Sequence, residues 1–237
     1  MQLFYHPDIT TLNQEIAFSK EESRHIIKVL RKTTGENLMV TNGKGFMYES
    51  EIIIENPNKC IIKIISETRQ EPLPYQLHLA VAPTKLNDRY EWFLEKATEI
   101  GITEITPILC AQSERKKINT ERFEKIIQSA MKQSLKTYLP KLNPLIGFSE
   151  FIKKTEHNSF TKCIAHCAEN KKQPLFKTVK NQSKILVMIG PEGDFSEREI
   201  ALATQHHFIP TSLGRSRLRT ETAAIVACHT VCLGIED

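Results

Sequence analysis

Residues 185–196 read Ile185-Leu186-Val187-Met188-Ile189-Gly190-Pro191-Glu192-Gly193-Asp194-Phe195-Ser196, and their order decides the fold class. An unbroken apolar run that stops abruptly at a Gly-Pro pair fits a strand buried on both faces. Ser196 and Glu199 have the spacing of a capping box, and Phe195 and Ile200 take the positions of a hydrophobic staple, so a helix begins here. The pattern recurs downstream. Phe208 to Leu213 is a second run, Gly214 ends it, and Leu218-Arg219-Thr220-Glu221-Thr222-Ala223 enters another helix. Two buried strands therefore deliver two glycine-containing turns to one edge of a sheet. In an open α/β sheet, the crevice at the carboxyl ends of the strands is where ligands bind.

Working outward, Gln76 to Ala82 reads as a strand, followed by a helix that Asp88 with Glu91 would cap and Gly101 would end. Glu104 to Cys110 is a strand. Thr120 to Lys136 is a helix with Phe123, Ile126, Ile127, Ala130 and Ser134 on one face. Ser149 caps a short helix, Phe160 to Ala165 is a strand, and Glu221 to Leu233 is a helix apolar nearly all round, which must be buried against the domain or a second subunit. Strands alternating with helices predict an α/β fold with a mostly parallel sheet. The rhythm differs before Glu71-Pro72-Leu73-Pro74, a linker in which the prolines resist helix and central strand. There Ser19 to Leu30 is a capped helix, Leu38 to Val40 and Phe46 to Ile54 flank an Asn42-Gly43 turn, and Cys60 to Ser66 is a strand. Short strands with tight turns predict a small β-barrel-like domain over residues 1–70, with the α/β domain over residues 75–237.

The chain has 237 residues, 40% apolar and 25% charged, as expected of a soluble globular protein. No apolar run approaches the roughly 18 residues of a membrane span. The first residues lack a basic region followed by an apolar one, so the expected location is cytoplasmic. The six cysteines include Cys163 and Cys167 near His166, and Cys228 and Cys232 near His229. Without a Cys-x-x-Cys knuckle they read as reduced core thiols, and no metal is expected. The net charge is +4, and residues 1–70 hold nine Lys/Arg against nine Asp/Glu. Within that neutral segment Arg24, Lys28, Arg31 and Lys32 gather on one helical stretch. Arg115-Lys116-Lys117 and Arg215, Arg217 and Arg219 form further clusters, a distribution that suits a nucleic-acid partner.

Neither a Gly-x-Gly-x-x-Gly nor a Gly-x-x-x-x-Gly-Lys-Ser/Thr motif occurs. Glu192 stands where a pyrophosphate would need donors, which disfavours a di- or triphosphate. A ligand with ribose hydroxyls, an amine and a cationic centre tolerates Glu192 and Asp194, and S-adenosylmethionine fits that description. Glycine turns after strands are also ordinary connections, and the residues alone leave both readings open.

Gly190-Pro191-Glu192-Gly193-Asp194-Phe195-Ser196-x-x-Glu199 followed by Leu213-Gly214-x-x-x-Leu218-Arg219-Thr220-Glu221-Thr222-Ala223 resembles the ribosomal RNA uridine N3-methyltransferase family of the SPOUT superfamily. His25-x-x-x-Val29-Leu30-Arg31, Gly35 and Asn42-Gly43-Lys44-Gly45 resemble that family's N-terminal PUA-like RNA-binding domain. Lys96 to Gly101 and Ala130-x-x-Gln133-Ser134 resemble its central segments. The resemblance implies a C-terminal α/β-knot domain with a deep trefoil knot, a homodimer, and S-adenosylmethionine bound in the knot. The implied substrate is a single uridine of 16S ribosomal RNA in the small ribosomal subunit, methylated at N3. Implied cofactor residues are His166, Ile189, Gly190, Pro191, Glu192, Gly193, Leu213, Gly214, Leu218, Thr222 and Ala223. Implied RNA contacts are Arg24, Lys28, Arg31, Lys32, Lys44, Arg115, Lys136 and Arg217. The sequence departs from the family pattern in three places: Asp194 and Leu135-Lys136 replace glycine and Gly-Arg, and Arg217 replaces an aliphatic residue.

N3 of uracil lies on the Watson–Crick edge and carries a proton, so the base must be presented unpaired and must lose that proton. Arg219 is the candidate to stabilise charge on the uracil oxygens. Glu221 is the candidate base or the partner that orients Arg219, and a purely structural Arg219–Glu221 pair is the competing reading. Thr220 and Thr222 are placed to satisfy amides at the start of the last helix. Two other functions remain compatible with these residues: a non-catalytic RNA-binding assembly factor, and a sibling methyltransferase acting on another RNA.

Overall fold

The computed structural model describes residues 2–12, 14–154, 159–169 and 171–236. The chain divides into two compact units, Met1–Pro72 with Met131–Leu139, and Leu73–Ala130 with Pro140–Asp237.

The first unit holds β1 (Leu3–Tyr5), β2 (Glu15–Ala17), α1 (Lys20–Arg24), β3 (Asn37–Thr41), β4 (Phe46–Ile54) and β5 (Ile61–Arg69). The strands form one curled sheet, a half-barrel, in the order β1-β3-β4-β5-β2. Alternation sets its faces: Tyr48, Ser50 and Ile52 of β4 point inward, where they meet Phe4, Phe18, Ile26, Val40 and Ile62. The expected cap on α1 is present, with Ser19 Oγ accepting from Glu22 N at 3.2 Å. The helix then widens into a π turn over His25–Val29, so Arg24 and Lys28 sit on two kinds of helix, whereas Arg31 and Lys32 lie beyond both and not on the one helical stretch expected. The β3–β4 connection is longer than a two-residue Asn-Gly turn. Thr41 pairs with Met47, and Asn42 Oδ1 accepts from Lys44 N at 2.9 Å. Gly43 and Gly45 adopt φ of 72° and 96°. Residues 137–139 lie along this loop: Gly45 N donates to Thr137 O and Leu139 N to Gly43 O, each at 2.9 Å. A Cβ on Gly45 would overlap the Tyr138 ring.

The second unit holds β6 (Gln76–Val81), α2 (Asn87–Ile100), β7 (Glu104–Leu109), α3 (Thr120–Gln133), β8 (Lys141–Leu142), β9 (Ile146–Gly147), α4 (Phe148–Ile152) and β10 (Thr161–Ala165). There follow β11 (Gln173–Pro174), α5 (Leu175–Val179), β12 (Lys184–Ile189), α6 (Glu197–Gln205), β13 (Ile209–Ser212) and α7 (Thr220–Glu236). The last residues of α3, from Met131, fall in the first unit. The strand order is β11-β13-β10-β12-β6-β7-β8, with β9 on β7. All these pairings are parallel. The α/β sheet is therefore as expected, and β12 lies at its centre between β6 and β10. Ile185 to Ile189 are all buried, which is why that run shows no polar alternation.

Several boundaries differ from the sequence reading. Leu86, not Asp88, precedes α2, and no side chain caps it. Ser149 caps nothing, because α4 already starts at Phe148. The chain leaves α3 after Gln133 and turns at Leu135, whose φ is 55°. The α7 helix buries one stripe, Ala224, Ala227, Cys228 and Val231, against α2, α5, β6 and β12. Leu233 on α7 and Phe176 on α5 remain exposed. Among the described residues, no helix is long and apolar enough to cross a membrane.

Candidate active site

The carboxyl ends of three adjacent strands, β12, β10 and β13, open into a cavity of about 630 Å³. That volume lies within the roughly 300–1,000 Å³ of small-molecule sites. The glycine turns in the sequence pointed to β12 and β13, and His166 pointed to β10, which lies between them and contributes Ala165, His166 and Cys167.

The turn after β12 is fixed from several sides. Pro191 O accepts from Asp194 N at 2.9 Å. Asp194 adopts φ of 67°, a conformation Asp takes at less cost than most residues. Its carboxylate accepts from Phe195 N at 2.8 Å and from Cys167 N at 2.7 Å, joining the turns that follow β12 and β10. Glu192 Oε1 accepts from Lys85 N at 2.9 Å. The capping box of α6 has both of its bonds, and Glu199 Oε1 also accepts from Ala111 N at 2.8 Å. Thr220 Oγ1 donates to Gly190 O at 3.0 Å, tying the start of α7 to the end of β12. Both glycines of this turn sit in close quarters. A Cβ on Gly190 would lie 3.1 Å from the Phe195 ring, and one on Gly193 would lie 3.0 Å from Gln112 Cβ.

One residue facing the cavity has no such ties. His166 is only 7% exposed, and neither of its ring nitrogens has a hydrogen-bond partner among the described residues. Burial, reinforced by the Lys172 charge and opposed by Asp194, holds its imidazole below the ordinary 6.5. Lys172 Nζ itself donates to the carbonyls of His166 and Ala168, at 2.9 and 3.0 Å.

Of the residues singled out for a cofactor, His166, Ile189, Gly190, Pro191, Glu192, Leu213, Gly214, Leu218 and Ala223 line this cavity. Gly193 does not line it, because it faces Gln112. Thr222 lines a second cavity, of about 680 Å³, with Asp88, Arg89, Trp92 and Glu221. Arg217, Leu218 and Arg219 border both spaces. Glu221 is buried, with Oε1 at 3.9 Å from Arg89 Nε and Oε2 without a partner among the described residues. Its ion pair is thus with α2 rather than with its sequence neighbour. Arg89 and Trp92 were missed, although they follow β6, whose carboxyl end lies on the same sheet edge.

The basic residues divide by what they already touch. Arg24, Lys28, Arg31 and Arg217 are exposed. Arg24 and Lys28 flank a groove with Lys20, His25 and Val29. Lys32 pairs with Glu36 at 2.6 Å, and Lys44 Nζ donates to Pro7 O at 3.3 Å. Arg115 is committed to the backbone, donating to Thr84 O at 3.0 Å and Lys85 O at 2.7 Å. Lys136 is half-buried beside Leu135. Among the described residues no group of three or more His, Cys, Asp or Glu could hold a metal ion. Burial pushes the Cys60 thiol up to about 11 and the Cys163 thiol to about 12.

Residues 71–232 match the RNA methyltransferase domain family, and residues 18–65 match the RNA methyltransferase PUA domain. The chain belongs to the RNA methyltransferase family. Among relatives of this family, the ribosomal RNA small subunit methyltransferase E of Buchnera aphidicola subsp. Acyrthosiphon pisum is 31% identical, over 94% of this chain and 89% of its own length. A solved structure described as a probable rRNA-methyltransferase, from Porphyromonas gingivalis, is 36% identical with a TM-score of 0.90, covering 98% of this chain and 99% of that one. The ribosomal RNA small subunit methyltransferase E of Neisseria gonorrhoeae, solved bound to S-adenosyl methionine, is 28% identical with a TM-score of 0.84, covering 96% and 95%.

Proposed function

We propose that this protein transfers a methyl group from S-adenosylmethionine to N3 of one uridine in 16S ribosomal RNA of the small ribosomal subunit. The observation that carries the reading is the cavity at the ends of β12, β10 and β13, which shares its Arg217–Arg219 wall with a second cavity holding a buried carboxylate. The residues present suit the cofactor. His166 offers two unpartnered ring nitrogens, while Glu192 and Asp194 place negative charge beside a ligand with a cationic centre. Bound there, the cofactor would supply an electrophilic methyl group. The relatives' names, and the cofactor bound by the Neisseria gonorrhoeae enzyme, support the same assignment.

In this reading Arg219 stabilises negative charge on the uracil oxygens and Glu221 accepts the N3 proton. The domain of residues 1–70 resembles a PUA-like module and holds RNA through Arg24, Lys28 and Arg31. The domain of residues 75–237 is a trefoil-knotted methyltransferase that works as a homodimer in the cytoplasm, where small subunits are assembled. Exposed Leu233 and Phe176 favour a second copy over solvent.

The test is nucleoside mass spectrometry of ribosomal RNA from cells with and without the protein. Loss of N3-methyluridine from the small-subunit RNA is expected. Unchanged N3-methyluridine, or a loss confined to another RNA, would rule the assignment out. Calorimetry with S-adenosylmethionine separates an enzyme from an RNA-binding assembly factor of the same fold, which would not bind the cofactor.

A further inference from the structure

We propose that the second cavity is the docking site for the acceptor base, a uracil stacked on Trp92 with its N3–H directed at Glu221 and its two carbonyls facing Arg89 and Arg219. The inference rests on the methyltransferase reading above and adds the place where the base sits.

Three independent observations converge on it. The first is position. A methyl group moves only between groups in near contact, so donor and acceptor sites must adjoin. The two cavities share Arg217, Leu218 and Arg219 as a common border. The second is an unmet hydrogen-bonding need. Glu221 is 6% exposed, and its Oε2 has no partner among the described residues. A buried acceptor left unsatisfied is costly, which favours a ligand that brings a donor. The third is an aromatic face. Trp92 lines the cavity, is 45% exposed, and is the only tryptophan in the chain. Half-exposed aromatic faces are platforms on which unpaired bases stack.

The Watson–Crick edge of uracil presents acceptor, donor, acceptor. A carboxylate 3.9 Å from the Arg89 guanidinium, in a cavity that Arg219 also lines, offers the complementary groups. Cytosine fails this match, because its N3 carries no proton and its exocyclic amine would face a cation. The cavity thus selects the base as well as holding it. On reaction the N3–H bond breaks and the proton passes to Glu221 Oε2. The electron pair left on nitrogen forms the new bond to the methyl carbon. The pair of the old sulfur–carbon bond stays on sulfur.

Two measurements on the full-length protein test the assignment. The first compares Trp92→Leu, Trp92→Phe and wild type on small subunits lacking the modification. Trp92→Leu should lower kcat/KM about tenfold or more, the scale of one lost stacking contact, while Trp92→Phe restores most of it. The dissociation constant for S-adenosylmethionine should stay within about twofold of wild type in both, since Trp92 lies outside the cofactor cavity. Equal rates for the Leu and Phe variants would overturn the proposal. The second measurement follows Trp92 emission as oligouridylate or oligocytidylate is added in the presence of S-adenosylhomocysteine. Saturable quenching by the uridine strand, with weaker quenching by the cytidine strand, is expected. A uridine strand that fails to bind, or that binds without changing the emission, counts against the site. If wild type neither binds cofactor nor methylates the subunit, it is the methyltransferase reading that fails instead.

Discussion

The two cavities of the C-terminal unit share a wall but are built on opposite terms. Around the first, the charged side chains of the 190–194 turn are committed to backbone amides: Glu192 to Lys85 N, Asp194 to Cys167 N and Phe195 N. Around the second, the acidic side chain of Glu221 keeps an oxygen with no partner among the described residues, and Trp92 stands exposed beside the arginines common to both cavities. The first is a frame, held so that backbone surrounds a ligand in fixed positions. The second is a set of side chains waiting for a partner. Preorganised backbone suits recognition of one unvarying small molecule, whereas unmet polar groups suit a reaction partner that brings the complementary atoms.

The contrast can be broken most forcefully at its reactive end. Glu221→Gln and Arg219→Ala should each lower turnover by about 10²–10⁴-fold, and Glu221→Gln, outside the cofactor cavity, should leave cofactor affinity little changed, measured by single-turnover methylation and calorimetry. A comparable loss in cofactor affinity would show that both cavities are one frame. Next in size is Gly190→Ala. The added methyl meets the Phe195 ring at 3.1 Å and its backbone nitrogen at 3.2 Å. It should cost about 1–3 kcal/mol in denaturant unfolding and weaken cofactor binding, because backbone has little room to yield.

A smaller effect concerns pH. The His166 imidazole is held below 6.5 in the folded chain, mainly by burial. As pH falls through 6.5, the unfolded chain therefore takes up the proton first and stability declines, until the folded value is also passed. A protonated His166 would also repel a cationic cofactor. Cofactor affinity should accordingly fall only at a pH below the ordinary imidazole value, as His166 of the folded chain takes up its proton, and His166→Gln should flatten that acid limb in a calorimetric pH series. Smallest is Leu135→Gly. Leu135 sits at φ of 55°, where a side chain is strained. Relief of roughly 1–2 kcal/mol is offset in part by the greater entropy of glycine in the unfolded chain, so thermal unfolding should shift upward by only a few degrees.

Much of the frame was legible in the chain because it is local. Ser196 and Glu199 are three residues apart, and their reciprocal bonds follow from helix geometry alone. The reactive set was only half legible. Arg219 and Glu221 look like a pair in the sequence, yet residues two apart at a helix start do not face each other. The cation that Glu221 meets is Arg89, brought there by the packing of α2 against α7. Gly193 reads as a ligand glycine, but the atom it accommodates is Gln112 Cβ, on another loop. The two-residue strands β8, β9 and β11 carry no periodicity to detect, and only their parallel neighbours define them.

The Gly43–Gly45 loop, with residues 137–139 laid along it, also bears on how the protein is made. A ribosome releases the first 72 residues of the N-terminal unit well before it releases Tyr138. Until then the loop lacks its hydrogen-bonded partner, and the gap that Gly45 leaves for the Tyr138 ring stays open. The N-terminal unit is thus first in the sequence without being complete first, and its final ordering waits on α3, which belongs in part to the catalytic half. Synthesis order thereby couples completion of the N-terminal unit to that of α3, and a truncated chain ending at the proline linker would carry an unfinished surface.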